Sequence, residues 1–220
     1  MSNLKDRVAA KLTENLRDQR KFIEENLAIR LHRALSWLKC AHQYDLSDPD
    51  VAYITAWVSF NSCYEADLTE NLSERDKFNT FIEQLCFVDT NQEIYSLLWK
   101  KYSQFIRLLI NNKYIFSPFW TSVRENNEDW VKKFKSSNDM ATHALKENDT
   151  ALLLKIVLDR LYVLRNQILH GGATHKSKVN REQVMDGKAF LLEIMPILIK
   201  LMLENAQKDW GEIRFPIIES

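Results

Sequence analysis

The sequence predicts an all-α fold, and three observations carry that expectation. Only four glycines and four prolines occur in 220 residues, where average usage near ~7% would supply about fifteen glycines. The turns of a many-stranded sandwich or barrel are scarcely available from so few. Apolar residues recur at helical spacing, as at Ile23, Leu27, Leu31, Leu35 and Leu38. The segment that holds them, residues 4–44, is rich in Glu, Arg, Lys, Leu and Ala and contains no Gly or Pro.

The elements follow in order. Asp45-Leu46-Ser47-Asp48-Pro49 ends the first segment, with Asp48 placed as an N-cap and Pro49 at the first position of the next helix. That helix carries Val51, Ile54, Trp57, Val58 and Phe60 and fades near Leu68. Ser73-Glu74-Arg75-Asp76 opens another, through Phe78, Phe81, Ile82 and Leu85. Residues 94–110 read as one further helix stopped by Asn111-Asn112. Ser117-Pro118 starts a segment bearing Phe119, Trp120, Val123, Trp130 and Phe134, and the largely polar residues 138–149 read as a short helix and a turn. Residues 152–169 are apolar on nearly every side, which marks a central helix buried from several directions. Gly171-Gly172 closes it. After a polar loop over 173–178, Asn180 is placed as an N-cap with Gln183 three residues on. The last helix runs over 181–207 and is expected to bend at Pro196, where a backbone donor is lost. No repeat, low-complexity tract or linker interrupts the chain, so the expected organisation is an N-terminal helical extension over 1–20, a single helical domain over 21–210 and a short, extended tail over 211–220.

Composition also excludes several functions. Thirty Lys and Arg balance thirty Asp and Glu, so any electrostatic partner must be recognised by a local patch. The glycines, at 171, 172, 187 and 211, cannot build a glycine-rich phosphate loop. Cys40, Cys63 and Cys86 form no ligand or disulfide pattern and read as reduced thiols. The N-terminus is charged. The longest apolar stretch, 189–203, is broken by Glu193, Pro196 and Lys200 and falls short of the ~20 residues that span a bilayer. A soluble, cytoplasmic protein with no membrane partner is expected. His32, His42, His143 and His175 show no spacing with acids or cysteines that suggests a metal, and no cofactor is expected. The six tryptophans, at 37, 57, 99, 120, 130 and 210, are expected to be mostly core aromatics.

Chemistry concentrates in residues 161–172, LYVLRNQILHGG. Arg165, Asn166 and Gln167 stand in succession on an otherwise apolar helix, which is costly unless they are paired or placed at a wet cleft. Five helical positions advance about 500°, so Arg165 and His170 do not stack on an ideal helix. A helix end at the glycines frees His170 to swing toward the Arg165 face. From 155 to 181 six basic residues (Lys155, Arg160, Arg165, Lys176, Lys178 and Arg181) face the single acid Asp159. A polyanion would be drawn there and not to the rest of the chain.

These residues resemble a known family. Arg165-Asn166, three further residues and His170 match the R-(polar)-xxx-H motif of HEPN domains. VLRNQILHGG followed by VNREQVMDGKAFLLE is similar to bacterial HEPN proteins near the Apea-like group. Upstream, RALSWLKCA and DPDVAYITAWVSFNSCYEA are similar to the same group, whose W-x-x-F-N-x-x-Y pattern falls here on Trp57, Phe60, Asn61 and Tyr64. The resemblance covers roughly half the chain and leaves about 66–145 unassigned. It implies a HEPN-like antiparallel helical bundle with the N-terminal extension and extra central helices. It also implies a homodimer acting as a metal-independent endoribonuclease on single-stranded RNA in a toxin–antitoxin, anti-phage defence or stress setting. Arg165 and His170 would be catalytic, with Asn166 supporting them. Asn61 would brace the motif, while Arg160, His175, Lys176, Lys178 and Arg181 would bind RNA. An antitoxin or other regulatory protein is a further implied partner. HEPN toxins paired with a minimal nucleotidyltransferase carry a modified tyrosine two positions after the histidine. Gly172 stands there in this chain, so that pairing is not expected. The alternative is a catalytically inactive module of the same fold that binds RNA, a nucleotide or a protein.

The implied chemistry suits the side chains. The 2′-OH attacks the adjacent phosphorus and the 5′-oxygen leaves, which needs a base, an acid and a cation. Imidazole serves as base or acid for about 10²–10⁴-fold in rate. A guanidinium matches phosphate oxygens, and comparable donors contribute about 10²–10³-fold. One well-placed histidine per chain for two proton-transfer roles favours a dimer, and DNA, lacking the 2′-OH, would not be cut.

Overall fold

The computed structural model describes residues 4–64 and 73–216. The described residues are all-α, with no β-strand among them. Their helices are α1 (Leu4–Gln19), α2 (Glu25–Tyr44), α3 (Pro49–Tyr64), α4 (Glu74–Val88), α5 (Glu93–Ser96), α6 (Ser103–Ile110), α7 (Ser117–Glu125), α8 (Trp130–Glu147), α9 (Thr150–Leu169) and α10 (Arg181–Glu204). No helix among the described residues is long and apolar enough to cross a membrane. The chain divides into two compact units, Met1–Thr90 with Lys188–Ser220, and Asn91–Gly187.

In the first unit the break between α1 and α2 has neither glycine nor proline. The Glu24 carboxylate makes it, accepting from the N–H groups of Asn26 (3.1 Å) and Leu27 (3.2 Å). Of the predicted stripe, Leu27, Leu31, Leu35 and Leu38 are buried on α2, while Ile23 is half-buried in the break before it. α2 packs on α3, where the Ser59 hydroxyl donates to the Ala34 carbonyl at 2.7 Å. The start of α3 is as the sequence predicts: Asp48 Oδ1 accepts from the Val51 N–H (3.3 Å), and Pro49 opens the helix. Ser73 likewise caps α4, its hydroxyl accepting from the Asp76 N–H at 3.1 Å. The expected fading of α3 near Leu68 lies outside the described residues.

Two buried cations organise this unit. Arg30 donates to the carbonyls of Cys63 (2.8 Å), Gly211 (2.9 Å) and Glu212 (3.0 Å), so one guanidinium ties the end of α3 to the C-terminal tail. Lys188 Nζ reaches both the Asp45 carboxylate (2.8 Å) and the Asp45 carbonyl (2.7 Å). Trp210 is buried against Phe81, ring centroids 6.1 Å apart. Burial pushes the Cys63 thiol up to about 12, which leaves it inert at neutral pH.

In the second unit two expectations are corrected. Residues 94–110 do not form one regular helix: Leu97–Lys101 is a π-helical turn, and the chain restarts at Ser103 after Tyr102. The reason lies in phase. At about 100° per residue, Phe105, Ile106, Leu109 and Ile110 would sit roughly a quarter-turn away from Ile94, Leu97 and Leu98. The wider turn takes up one extra residue and returns both sets to one buried face. Residues 138–147 are not a separate short helix but the second half of α8. Only Ala141 and Ala144 are buried in that half, an apolar stripe too thin to show against its polar neighbours. The final helix ends at Glu204, a little before the expected 207, and is continuous through Pro196.

α9 packs against α6 and α8. Asp149 caps its start, Oδ1 accepting from the Leu152 N–H at 2.9 Å, and the apolar residues Leu153, Leu154, Ile156, Val157, Leu158, Leu161 and Leu164 are buried.

Candidate functional site

The apolar run of α9 ends at Leu164, and the polar succession begins there. Arg165, Asn166 and Gln167 are half-buried, while His170 is exposed in the turn that follows. Arg165 Nη1 donates to Asn166 Oδ1 at 2.8 Å, and its guanidinium lies 5.8 Å from the Tyr162 ring centroid. The carboxamide of Asn166 thus holds its neighbour's cation.

The helix end is a Schellman closure. The Gly172 N–H donates to the Gln167 carbonyl (2.8 Å), the Gly171 N–H to the Ile168 carbonyl (3.3 Å), and the His170 N–H to the Asn166 carbonyl (3.0 Å). Gly171 sits at φ +70°, a left-handed conformation that glycine adopts without penalty. A Cβ at Gly172 would meet the Gln167 carbonyl oxygen at 3.1 Å. The glycine pair therefore fixes the backbone of His170 through the hydrogen bonds of its own helix.

Gln167 is the residue that sequence reasoning left without a role. Its Nε2 donates to the Tyr114 carbonyl, and its Oε1 accepts from Asn180 Nδ2 at 2.8 Å. One side chain thereby ties α9 to the 3-10 turn Lys113–Ile115 and to the residue before α10. Asn180 stands before α10 as predicted, its carbonyl accepting from the Val184 N–H (3.0 Å). Its φ is +55° and its amide goes to Gln167, an arrangement unlike the expected capping box. The only sequence signal for these contacts was a third polar residue on an apolar helix.

The expected RNA-binding set separates into two groups. His175, Lys176 and Lys178 are exposed on the loop between α9 and α10, and Arg181 opens α10 half-buried. Arg160 does not join them. It is 3% exposed, its guanidinium carbon lies 4.3 Å from the Phe116 ring centroid, and its Nη2 donates to Ser137 Oγ at 3.1 Å. Burial lowers its pKa to about 10, against the pull of Asp159, and it remains charged at neutral pH. Arg160 is a core cation and is withdrawn from the polyanion-binding set.

Asn61, half-buried on α3, belongs to the first unit. The rest of its motif, Trp57, Phe60 and Tyr64, forms an aromatic cluster with Phe78 and Phe81 at centroid separations of 5.4–6.3 Å. Trp57 and Trp210 are buried and Trp99 and Trp130 half-buried, but Trp37 and Trp120 are exposed.

No protein-family model, curated protein or solved structure matches the chain. Charge divides the same way as the fold. Asn91–Gly187 carries fifteen Lys and Arg against ten Asp and Glu, a net +5, and the remainder carries fifteen against twenty, a net −5. An exposed imidazole, a guanidinium steadied by an amide, and a cationic loop are thus gathered in the basic unit. Such a set can hold a phosphate and offer an imidazole for proton transfer.

Proposed function

We propose that this chain is a cytoplasmic, metal-independent endoribonuclease of HEPN type, with a HEPN-like antiparallel bundle, that cleaves single-stranded RNA at a site composed by two protomers. The observation that carries the reading is the exposed His170, fixed by the closure of α9 and following the Arg165–Asn166 pair in the basic unit. Arg165 faces the phosphate oxygens as charge develops on the phosphorane. The two His170 imidazoles of a homodimer divide the proton transfers, one taking the 2′-OH proton and the other protonating the departing 5′-oxygen. Lys176 and Lys178 hold the flanking backbone. A toxin–antitoxin, anti-phage or stress setting, with an antitoxin or other protein as regulator, fits such an activity.

Purified protein is incubated with single-stranded RNA in EDTA. Cleavage is expected to persist without metal, to leave 2′,3′-cyclic phosphate ends and to spare DNA of the same sequence. Arg165→Ala and His170→Ala should each lower the rate by about 10²-fold or more with folding intact. Cleavage that survives in His170→Ala would overturn the reading. Salt-dependent RNA binding with no cleavage by the wild type would leave a catalytically silent binding module in its place.

A further inference from the structure

The carbonyl of Tyr114 accepts two side-chain hydrogen bonds, one from Gln167 Nε2 and one from Trp120 Nε1 at 2.8 Å. Gln167 directly follows Asn166, which holds Arg165. The backbone beneath two aromatic rings is therefore bonded to the residue adjoining the candidate catalytic pair. Both rings are open to solvent, Tyr114 at 49% and Trp120 at 37%. They are also held in place. Phe119 meets Tyr114 edge-on at 5.5 Å and 85°, and Trp120 at 5.1 Å and 80°, and Trp130 backs Phe119 at 5.1 Å and 85°. Lys113 Nζ lies 5.3 Å from the Tyr114 centroid, 5.5 Å from Phe119 and 5.5 Å from Trp130.

We infer that Tyr114 and Trp120 form a nucleobase-stacking subsite that seats a base of single-stranded RNA beside the linkage to be cut, with Lys113 drawing the phosphate of that nucleotide. This rests on the reading of the chain as an RNA-cutting protein and adds to it a means of gripping the substrate. Two large solvent-exposed rings, fixed before the ligand arrives, lose little freedom on binding. Every base has a π-face, so stacking of this kind is tolerant of sequence. Charge separates this occupant from an apolar protein surface, because an ammonium sits among the rings and the unit that bears them carries +5. An aromatic groove with cations along it fits single strands.

The test uses full-length protein and a short 2′-O-methyl oligouridylate, which has no free 2′-OH and remains intact. Trp120→Ala and Tyr114→Ala should each weaken binding by about 5- to 100-fold. Trp120→Phe, which keeps a stacking face, should stay within about threefold of wild type. The slope of affinity against salt should not change in Trp120→Ala, since no phosphate contact is lost. An oligomer stripped of its bases tests the wild-type protein without any substitution: it should bind as weakly as the intact oligomer binds Trp120→Ala. Wild-type affinity in both alanine variants, or equal binding of intact and abasic oligomers, would overturn the subsite. So would failure of the wild type to bind any RNA, and a protein-docking role would then remain for the patch. Cleavage of ordinary RNA and its loss in His170→Ala are scored separately. Base-dependent binding without cleavage removes the nuclease and keeps the subsite, and cleavage without base-dependent binding does the reverse.

Discussion

At the scale of single residues, burial decides which charges can meet a ligand. Arg160 and Lys178 belong to the same basic run of sequence, yet one is enclosed by Phe116, Phe134 and Ser137 and the other is exposed on a loop. Arg160 Nε is buried with no hydrogen-bond partner, a cost that a thioether would not bear. Arg160→Met is therefore expected to leave RNA affinity at the wild-type value and stability unchanged or raised by up to about 2 kcal/mol. The sign of the pH dependence follows from the lowered pKa. A base held below its unfolded value penalises the fold at every pH under about 10, and the penalty fades only above that. The gain on substitution should accordingly be flat from neutral to mildly alkaline pH, where Asp159 stays ionised, as thermal melts across that range would show. Lys178→Ala should instead weaken RNA binding and reduce its salt slope by about 0.7. Equal losses in both variants would contradict the burial argument.

At the scale of elements, the end of α9 governs where the imidazole stands. Nothing lies within 4 Å of a Cβ added at Gly171, so substitution there is opposed by backbone strain alone. Gly171→Ala should cost about 1–2 kcal/mol, a fall of roughly 2–8 °C in Tm for a chain of this size. Gly171→Asn should recover much of that loss, since asparagine tolerates the left-handed region. Equal melting of the two variants would show that φ is not what the glycine supplies. Cleavage should fall along with stability in Gly171→Ala, because His170 is positioned by this closure. The π-helical turn Leu97–Lys101 is a second device of the same scale, spending one residue to keep two apolar sets on one face.

At the scale of the molecule, the proposed reaction has two proton transfers while the proposed site takes one histidine, His170, from each chain, and that is what calls for a second copy. If each site needs both imidazoles, titrating wild-type protein with an excess of His170→Ala should depress the rate well below the amount of wild type present. A rate simply proportional to wild-type chains would remove the composite site and leave a site within one subunit. The opposite charges of the two units, +5 and −5, would let a chain of zero net charge attract the proposed polyanion through one of them.

Helical content, the helix starts at Asp48 and Ser73, the stop at the glycine pair and the polar succession Arg165–Asn166–Gln167 were all legible in the sequence. Each depends on residues within a turn or two of one another, where spacing alone carries the information. The partners of Gln167 and the enclosure of Arg160 were not, because each is set by residues many positions away. Local pattern determined that this chain would be helical and where its chemistry would gather. Tertiary packing alone decided which of those side chains were spent on the core and which were left to meet a ligand, since burial is a property of neighbours that only folding brings together.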